Sequence, residues 1–167
     1  MGKLYWKPGN MLYPLPVVMV SVRDKDIDNI ITVAWAGTIN SDPAMLSISV
    51  RKERFSYDLI KKSGKFCINL VSEELTYATD YCGVRSGKNE DKFKAMNLET
   101  ENATNFDCPI IKKSPVVLEC EVTEIKELGT HDMFLAKVIS VDVDEKYMDE
   151  TGRFDMQKCN LVSYSHW

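Results

Sequence analysis

Histidine is scarce in this chain, with only His131 and His166, and no two cysteines form a C-x-x-C pair. The five cysteines, Cys67, Cys82, Cys108, Cys120 and Cys159, stand far apart. No zinc spacing can be built from such a set, and it reads as free thiols in a reduced, cytoplasmic protein. No N-terminal signal peptide is visible and no apolar run is long enough to span a membrane. Trp6 stands where a myristoylation signal needs Ser or Thr, and Asn102-Ala103-Thr104 is a glycosylation sequon that no secretion signal accompanies. There is no excess of positive charge: the net charge is −4 and the pI about 5.3, which argues against nucleic acid as the main partner. G-x-G-x-x-G is missing, as is any alternation of strands and helices, so no dedicated dinucleotide domain is expected. Internal repeats and low-complexity segments are also lacking.

What remains is an ordinary globular composition, 44% hydrophobic and 28% charged over 167 residues. That is enough for one domain, residues 1–167, with a core that needs no disulfides or metals. Residues 1–15 are rich in aromatics, Gly and Pro and read as an irregular arm, its aromatics packed on something. From Pro16 to Val22 an apolar first strand is expected, followed by a turn at Asp24-Lys25-Asp26 and a second strand from Ile30 to Ala36. Asn40-Ser41-Asp42-Pro43 clusters turn formers. Met45 to Arg51 then alternates, with Leu46, Ile48 and Val50 on one face and Ser47, Ser49 and Arg51 on the other.

The basic run Arg51, Lys52 and Arg54 leads straight into Phe55-Ser56-Tyr57-Asp58-Leu59-Ile60, a helical pattern with Ser56 as its expected N-cap. Unpaired N–H groups and a positive dipole at such an end, beside arginines, make a ready phosphate site. A capped surface helix with solvated arginines is an equally good reading of these residues alone.

Ser63-Gly64 should stop that helix, and Phe66 to Leu70 is a short buried strand. Ser72 is expected to cap a helix from Glu73 to Cys82 that Gly83 ends. A polar loop, Val84 to Asn89, precedes a short helix through Asp91-Lys92-Phe93, with Asn89 as its cap. Leu98 to Asp107 reads as irregular surface. Val116 to Thr123 and Phe134 to Asp144 are two long strands, Glu119 and Glu121 facing away from Leu118, Cys120 and Val122, with His131 in the hairpin turn between them. Tyr147 to Lys158 is polar, and Leu161 to Trp167 is a final strand or tail. Six or more strands, mostly antiparallel, with short helices inserted, suggest a mainly β (α+β) fold organised as a small barrel.

The order and spacing of four pieces go further. Ala34-Trp35-Ala36-Gly37-Thr38-Ile39-Asn40-Ser41-Asp42-Pro43, then Ser49-Val50-Arg51 with Phe55-Ser56-Tyr57, then Phe66-Cys67-Ile68-Asn69-Leu70, and finally Asp80 to Gly87 with Asp91-Lys92-Phe93, together resemble the flavin reductase-like family of FMN-binding split barrels, most closely its flavoredoxin branch. The likeness covers roughly residues 14 to 165. It implies a Greek-key, antiparallel, six-stranded barrel with short peripheral helices, a homodimer, and one non-covalent FMN per subunit near the dimer interface. Asn29, Trp35, Ser56, Lys92, His131 and Tyr164 occupy positions where that family contacts FMN, and Thr38, Asn40, Ser86 and Gly87 are further edge or phosphate contacts. Ser56 stands where Thr is frequent and Tyr164 where Phe is expected, which keeps a hydroxyl and a ring.

The residue chemistry agrees with these positions. Arg51, Ser56 and the N–H groups after it suit a phosphate. Lys92 suits either the phosphate or the flavin N1–C2=O edge, and Trp35 and Tyr164 offer ring surface. Taken singly, Lys92 is a solvated charge on a short helix, Trp35 a core residue, His131 a surface residue in a turn and Cys82 a structural thiol. Three functions are compatible: a flavin reductase using NADH or NADPH, an electron carrier exchanging with a redox protein partner, or a non-enzymatic FMN-binding module.

Overall fold

The computed structural model describes residues 1–166. In chain order its elements are β1 Leu15–Pro16, β2 Val18–Asp24, β3 Ile27–Val33, β4 Ala36–Asn40, β5 Met45–Arg51, α1 Phe55–Ser63, β6 Lys65–Leu70, α2 Thr76–Val84, α3 Lys92–Ala95, β7 Thr100–Asn102, β8 Pro109–Ile111, β9 Val116–Glu127, β10 His131–Val143 and β11 Ser163–Tyr164, with single 3-10 turns between some of them. One antiparallel sheet runs β3-β2-β6-β9-β10-β5-β4. Its two edge strands, β3 and β4, are consecutive in the chain. The sheet therefore curls until its edges meet at Ala34-Trp35 without pairing, which is the split of a split barrel. The run expected as one strand from Ile30 to Ala36 is broken at that corner, so the sheet has seven strands. Across the corner, the Ser49 amide donates to the Trp35 carbonyl at 2.8 Å.

The alternation of Met45 to Arg51 places Leu46, Ile48 and Val50 inside, opposite Ala136, Phe134 and Asp132. With Val20, Val22, Ile31, Phe66 and Ile68 these form the barrel core, and α1 adds Tyr57, Leu59 and Ile60 to it. Gly64 stops α1 in the left-handed conformation, φ 68°, donating to the Ile60 carbonyl.

A carboxylate stands beside the barrel core. Asp132 is fully buried. Its Oδ2 accepts from the Tyr57 hydroxyl at 2.6 Å and lies 3.6 Å from Lys52 Nζ, while Oδ1 has no partner among the described residues. The hydrogen bond to Asp132 pushes the Tyr57 phenol up to about 12. Because losing the phenol strands a buried carboxylate, Tyr57→Phe should destabilise the fold by about 2 kcal/mol. Urea unfolding measures this, and an unchanged midpoint would mean that Lys52 alone satisfies the carboxylate.

Several local expectations are corrected. α1 begins at Phe55, its N-cap is Arg54 in an extended conformation, and no side chain caps it. Ser72 precedes a 3-10 turn without a side-chain cap, and α2 proper runs on to Val84, past Gly83. Asp91, not Asn89, caps α3, accepting from the Lys94 amide. The supposedly irregular 98–107 stretch contains β7, which pairs with β8. That region covers β9, so Glu119 is fully buried rather than exposed like Glu121. Its carboxylate accepts the Thr104 and Asn105 amides, at 2.7 and 3.0 Å. In the arm, Leu4, Tyr5 and Trp6 are largely exposed rather than packed.

Candidate functional site

The split leaves a groove on one side of the barrel. At one end is a cavity of about 250 Å³ between Trp35, Arg51, His131 and Tyr164. At the other is one of about 190 Å³ between Asn29, Ser56, Ser86, Gly87 and Lys92. Ile31 and Arg54 line both, so the two cavities adjoin. Thr38 and Asn40 lie outside it. Thr38 is exposed on β4, and Asn40 Nδ2 donates to the Pro43 carbonyl at 2.8 Å, closing the β4–β5 turn.

The wider end is aromatic with a basic rim. Trp35 sits at the barrel split and His131 on the first residue of β10, paired with Arg51 rather than in the turn. Their ring centroids are 6.5 Å apart. Burial, then the nearby Arg51 guanidinium, lowers the His131 pKa, favouring the neutral imidazole. Arg51 is itself half-exposed and pairs with Glu53 at 3.1 Å. Tyr164 arrives from the far end of the chain on the β1–β11 ribbon, opposite Leu15, and meets Tyr13 edge-on.

The narrower end is built for an anion. Ser56, in the first turn of α1, is fully buried. Its Oγ accepts from Asn29 Nδ2 at 2.7 Å, which leaves its own proton free to donate. The N-terminus of α1, with no side-chain cap, opens beside it. Gly87 lies so close to Asn29 that a Cβ there would stand 1.9 Å from Asn29 Oδ1. Lys92 is 3% exposed. Its ammonium donates to the carbonyls of Cys82 and Arg85, both at 3.1 Å. Among the described residues, no carboxylate pairs with it. Burial, with Arg54 adding to it, pushes its pKa down to about 8. Arg54 belongs to the basic run that the sequence places beside a phosphate site, whereas Arg85 was not singled out. Arg54 donates to the Gly83 carbonyl at 2.6 Å, tying α1 to the end of α2, and the Arg85 guanidinium lies over the Tyr81 ring.

A buried ammonium without a carboxylate, a hydroxyl with a free proton and an uncapped helix start all face one cavity, so the donor set fits a phosphate. The aromatic end fits a planar ring.

The sequence pattern of the Flavin reductase like domain matches residues 10–158. This chain belongs to that family. As a family member it is similar to flavoredoxin of Desulfovibrio vulgaris (Miyazaki F), 28% identical, with a TM-score of 0.87 over 99% of this chain and 95% of that one. A flavoredoxin from Methanosarcina acetivorans superimposes with a TM-score of 0.85 at 25% identity, over 99% of this chain and 94% of that one. A flavin reductase of Pseudomonas putida is 23% identical over 135 residues, 80% of this chain and 76% of that protein. No described helix is long and apolar enough to cross a membrane.

Proposed function

We propose that the groove holds FMN non-covalently and that the protein works as a flavin oxidoreductase drawing on NADH or NADPH. The observation that carries this reading is Lys92, a buried cation with no carboxylate partner, at one end of a groove whose other end is walled by Trp35, His131 and Tyr164.

FMN, when bound, supplies reversible one- and two-electron chemistry of its own. The chain's part is to bind, orient and exclude water. Lys92, the Ser56 hydroxyl and the N-terminus of α1 bind the phosphate. Asn29 holds Ser56 in place, and the backbone of Ser86 and Gly87 closes over the same end. Arg54, lining both cavities, spans the middle of the groove. Trp35 and Tyr164 supply ring surface, and His131, kept neutral, can donate or accept one hydrogen bond at the ring edge. Arg51 at the rim offers a charge to an anionic donor that approaches from solvent. Thr38 and Asn40 have no part in this arrangement.

A second reading has specific support. The likeness to two flavoredoxins spans nearly the whole chain, which favours an electron carrier that receives electrons from a redox protein partner. Anaerobic absorbance spectra separate the two. Flavin bands that bleach with NADH or NADPH support the reductase, and bands that resist both donors but bleach with dithionite support the carrier. A colourless protein that takes up no FMN overturns both. A homodimer in the cytoplasm belongs to either reading: the exposed apolar residues Ile139, Val141 and Val143 of β10 offer surface for a second copy, and the five unpaired thiols suit a reducing compartment.

The phosphate assignment has its own test. Ser56→Ala should weaken FMN by about tenfold, the value of one charge-assisted hydrogen bond, and leave riboflavin nearly unchanged. Equal losses for the two flavins would place Ser56 away from the phosphate.

A further inference from the structure

The arm does more than lead into β1. Residues Met11, Leu12, Tyr13 and Leu15 border, with Trp35, an open cavity of about 490 Å³ whose side-chain polar groups are the Asn10 amide, the Tyr13 hydroxyl and the Trp35 indole N–H. No charged residue lines this space, whereas the adjoining end of the groove carries Arg51, Arg54 and His131. The two are contiguous. Trp35 lines both, and Tyr13 touches Tyr164, the aromatic wall of the groove, with centroids 6.1 Å apart. Leu12 is 85% exposed and Met11 65%, so an apolar surface stands open to water beside a redox-type site. The chemistry of the lining selects its occupant: flat, because the surface is built from an indole, a phenol ring and a thioether; uncharged, because no side chain of opposite charge lines it to offset an ion's lost hydration.

We propose that the arm and Trp35 form a second binding site, for an uncharged planar aromatic molecule that reaches the groove from its ring end. Its role as a substrate site rests on the flavin reading above; its existence does not. An anionic molecule of the same shape is rejected there and finds Arg51 instead. This assigns residues 9–15 a part in choosing the molecule that meets the cofactor, in addition to pairing β1 with β11.

Equilibrium dialysis of naphthol and naphthoate against the full chain, with and without added FMN, tests this. Naphthol should bind beside FMN without displacing it, and naphthoate should bind about tenfold more weakly, reflecting the cost of desolvating its charge without a partner. Leu12→Lys, at an exposed position where folding is not at risk, should weaken naphthol by about tenfold and leave FMN affinity unchanged. Leu12→Met should retain naphthol. Naphthol binding that is indifferent to Leu12→Lys, or that FMN abolishes, would overturn the proposal, because the molecule would then lie elsewhere or in the flavin groove itself. Naphthoate binding that exceeds naphthol and is lost in Arg51→Ala would overturn it too. A chain that takes up no FMN but keeps Leu12-dependent naphthol binding upholds the site and overturns the flavin reading, so the two failures are distinguishable.

Discussion

Replacing Lys92 with methionine is expected to lower FMN affinity by roughly 10- to 100-fold while leaving the ligand-free protein at least as stable as the parent. The two effects have opposite signs because the ammonium is buried for the ligand's benefit. In the free protein it has two carbonyl acceptors and no anion, and burial pushes its pKa from 10.5 down to about 8. The native state therefore holds fewer protons than the unfolded chain between these values. The destabilisation due to Lys92 is fully present below about pH 8 and is relieved as the pH rises toward 10.5. A phosphate dianion reverses the balance by favouring the charged form. FMN affinity should accordingly be greatest below about pH 8 and fall as the pH rises above it. That decline should vanish in Lys92→Met. Fluorescence titrations of FMN across this range, with thermal melts of both apo proteins, check each half. A variant with unchanged affinity and an unchanged pH profile would show that Lys92 does not face the phosphate.

Gly87→Ala should be the most damaging of the small substitutions. A Cβ at this position would stand 1.9 Å from Oδ1 and 2.6 Å from Cγ of Asn29. Asn29 cannot simply swing away, since it is 3% exposed and its amide is spent on Ser56. Either Asn29 releases Ser56 or residues 85–89 lift from β3. The first deprives the hydroxyl of its support, and the second removes Ser86 and Arg85 from the groove. We expect a loss of about 1–3 kcal/mol in stability, as for other overpacked sites, and about tenfold or more in FMN affinity. The double variant Asn29→Ala/Gly87→Ala relieves the clash. Its urea midpoint should exceed that of Gly87→Ala alone, a non-additivity expected only of residues in contact. Simple additivity of the two changes would mean that the loop accommodates the methyl without disturbing Asn29.

These two residues also show where sequence reasoning reached and where it stopped. The alternation of Leu46, Ile48 and Val50 was legible because one face of β5 is buried and the other is not, and a period of two records that directly. Gly64 as a helix stop was legible because left-handed backbone favours glycine. Ser56 was read as an N-cap from its neighbours, but its hydroxyl is engaged by Asn29, 27 positions earlier in the chain, and a local pattern carries no trace of such a partner. Lys92 looks like a solvated charge in its own segment. It is buried because its ammonium turns back onto the end of α2, a tertiary fact. Glu119 was placed on an outer face for a similar reason: the β7–β8 ribbon that covers it comes from a stretch without periodicity. His131 moved from turn to strand because β10 is longer at its N-terminal end than its apolar pattern, which begins at Phe134, allows one to see. The positions in the groove came from resemblance more than from physics, and resemblance also added Thr38 and Asn40, which the fold turns away from it.

The two ends of the groove are mounted differently. Arg51 and His131 belong to the ladder of the large sheet, where moving one strand means breaking several backbone bonds at once, and the Ser49 amide ties the Trp35 carbonyl to it at the corner. The stretch from Gly83 to Lys92 is another matter. Its backbone bonds are local, from Asn89 to Ser86 within it and from Arg85 to Tyr81 at the end of α2, and Lys92 donates to Arg85 within it and to Cys82 of α2. Arg54 on the Gly83 carbonyl is one of its few ties outward. Such a segment can open as a flap while the barrel stays intact. The phosphate end of the groove therefore hangs on one short segment joined to α2, whereas the ring end is held by the sheet.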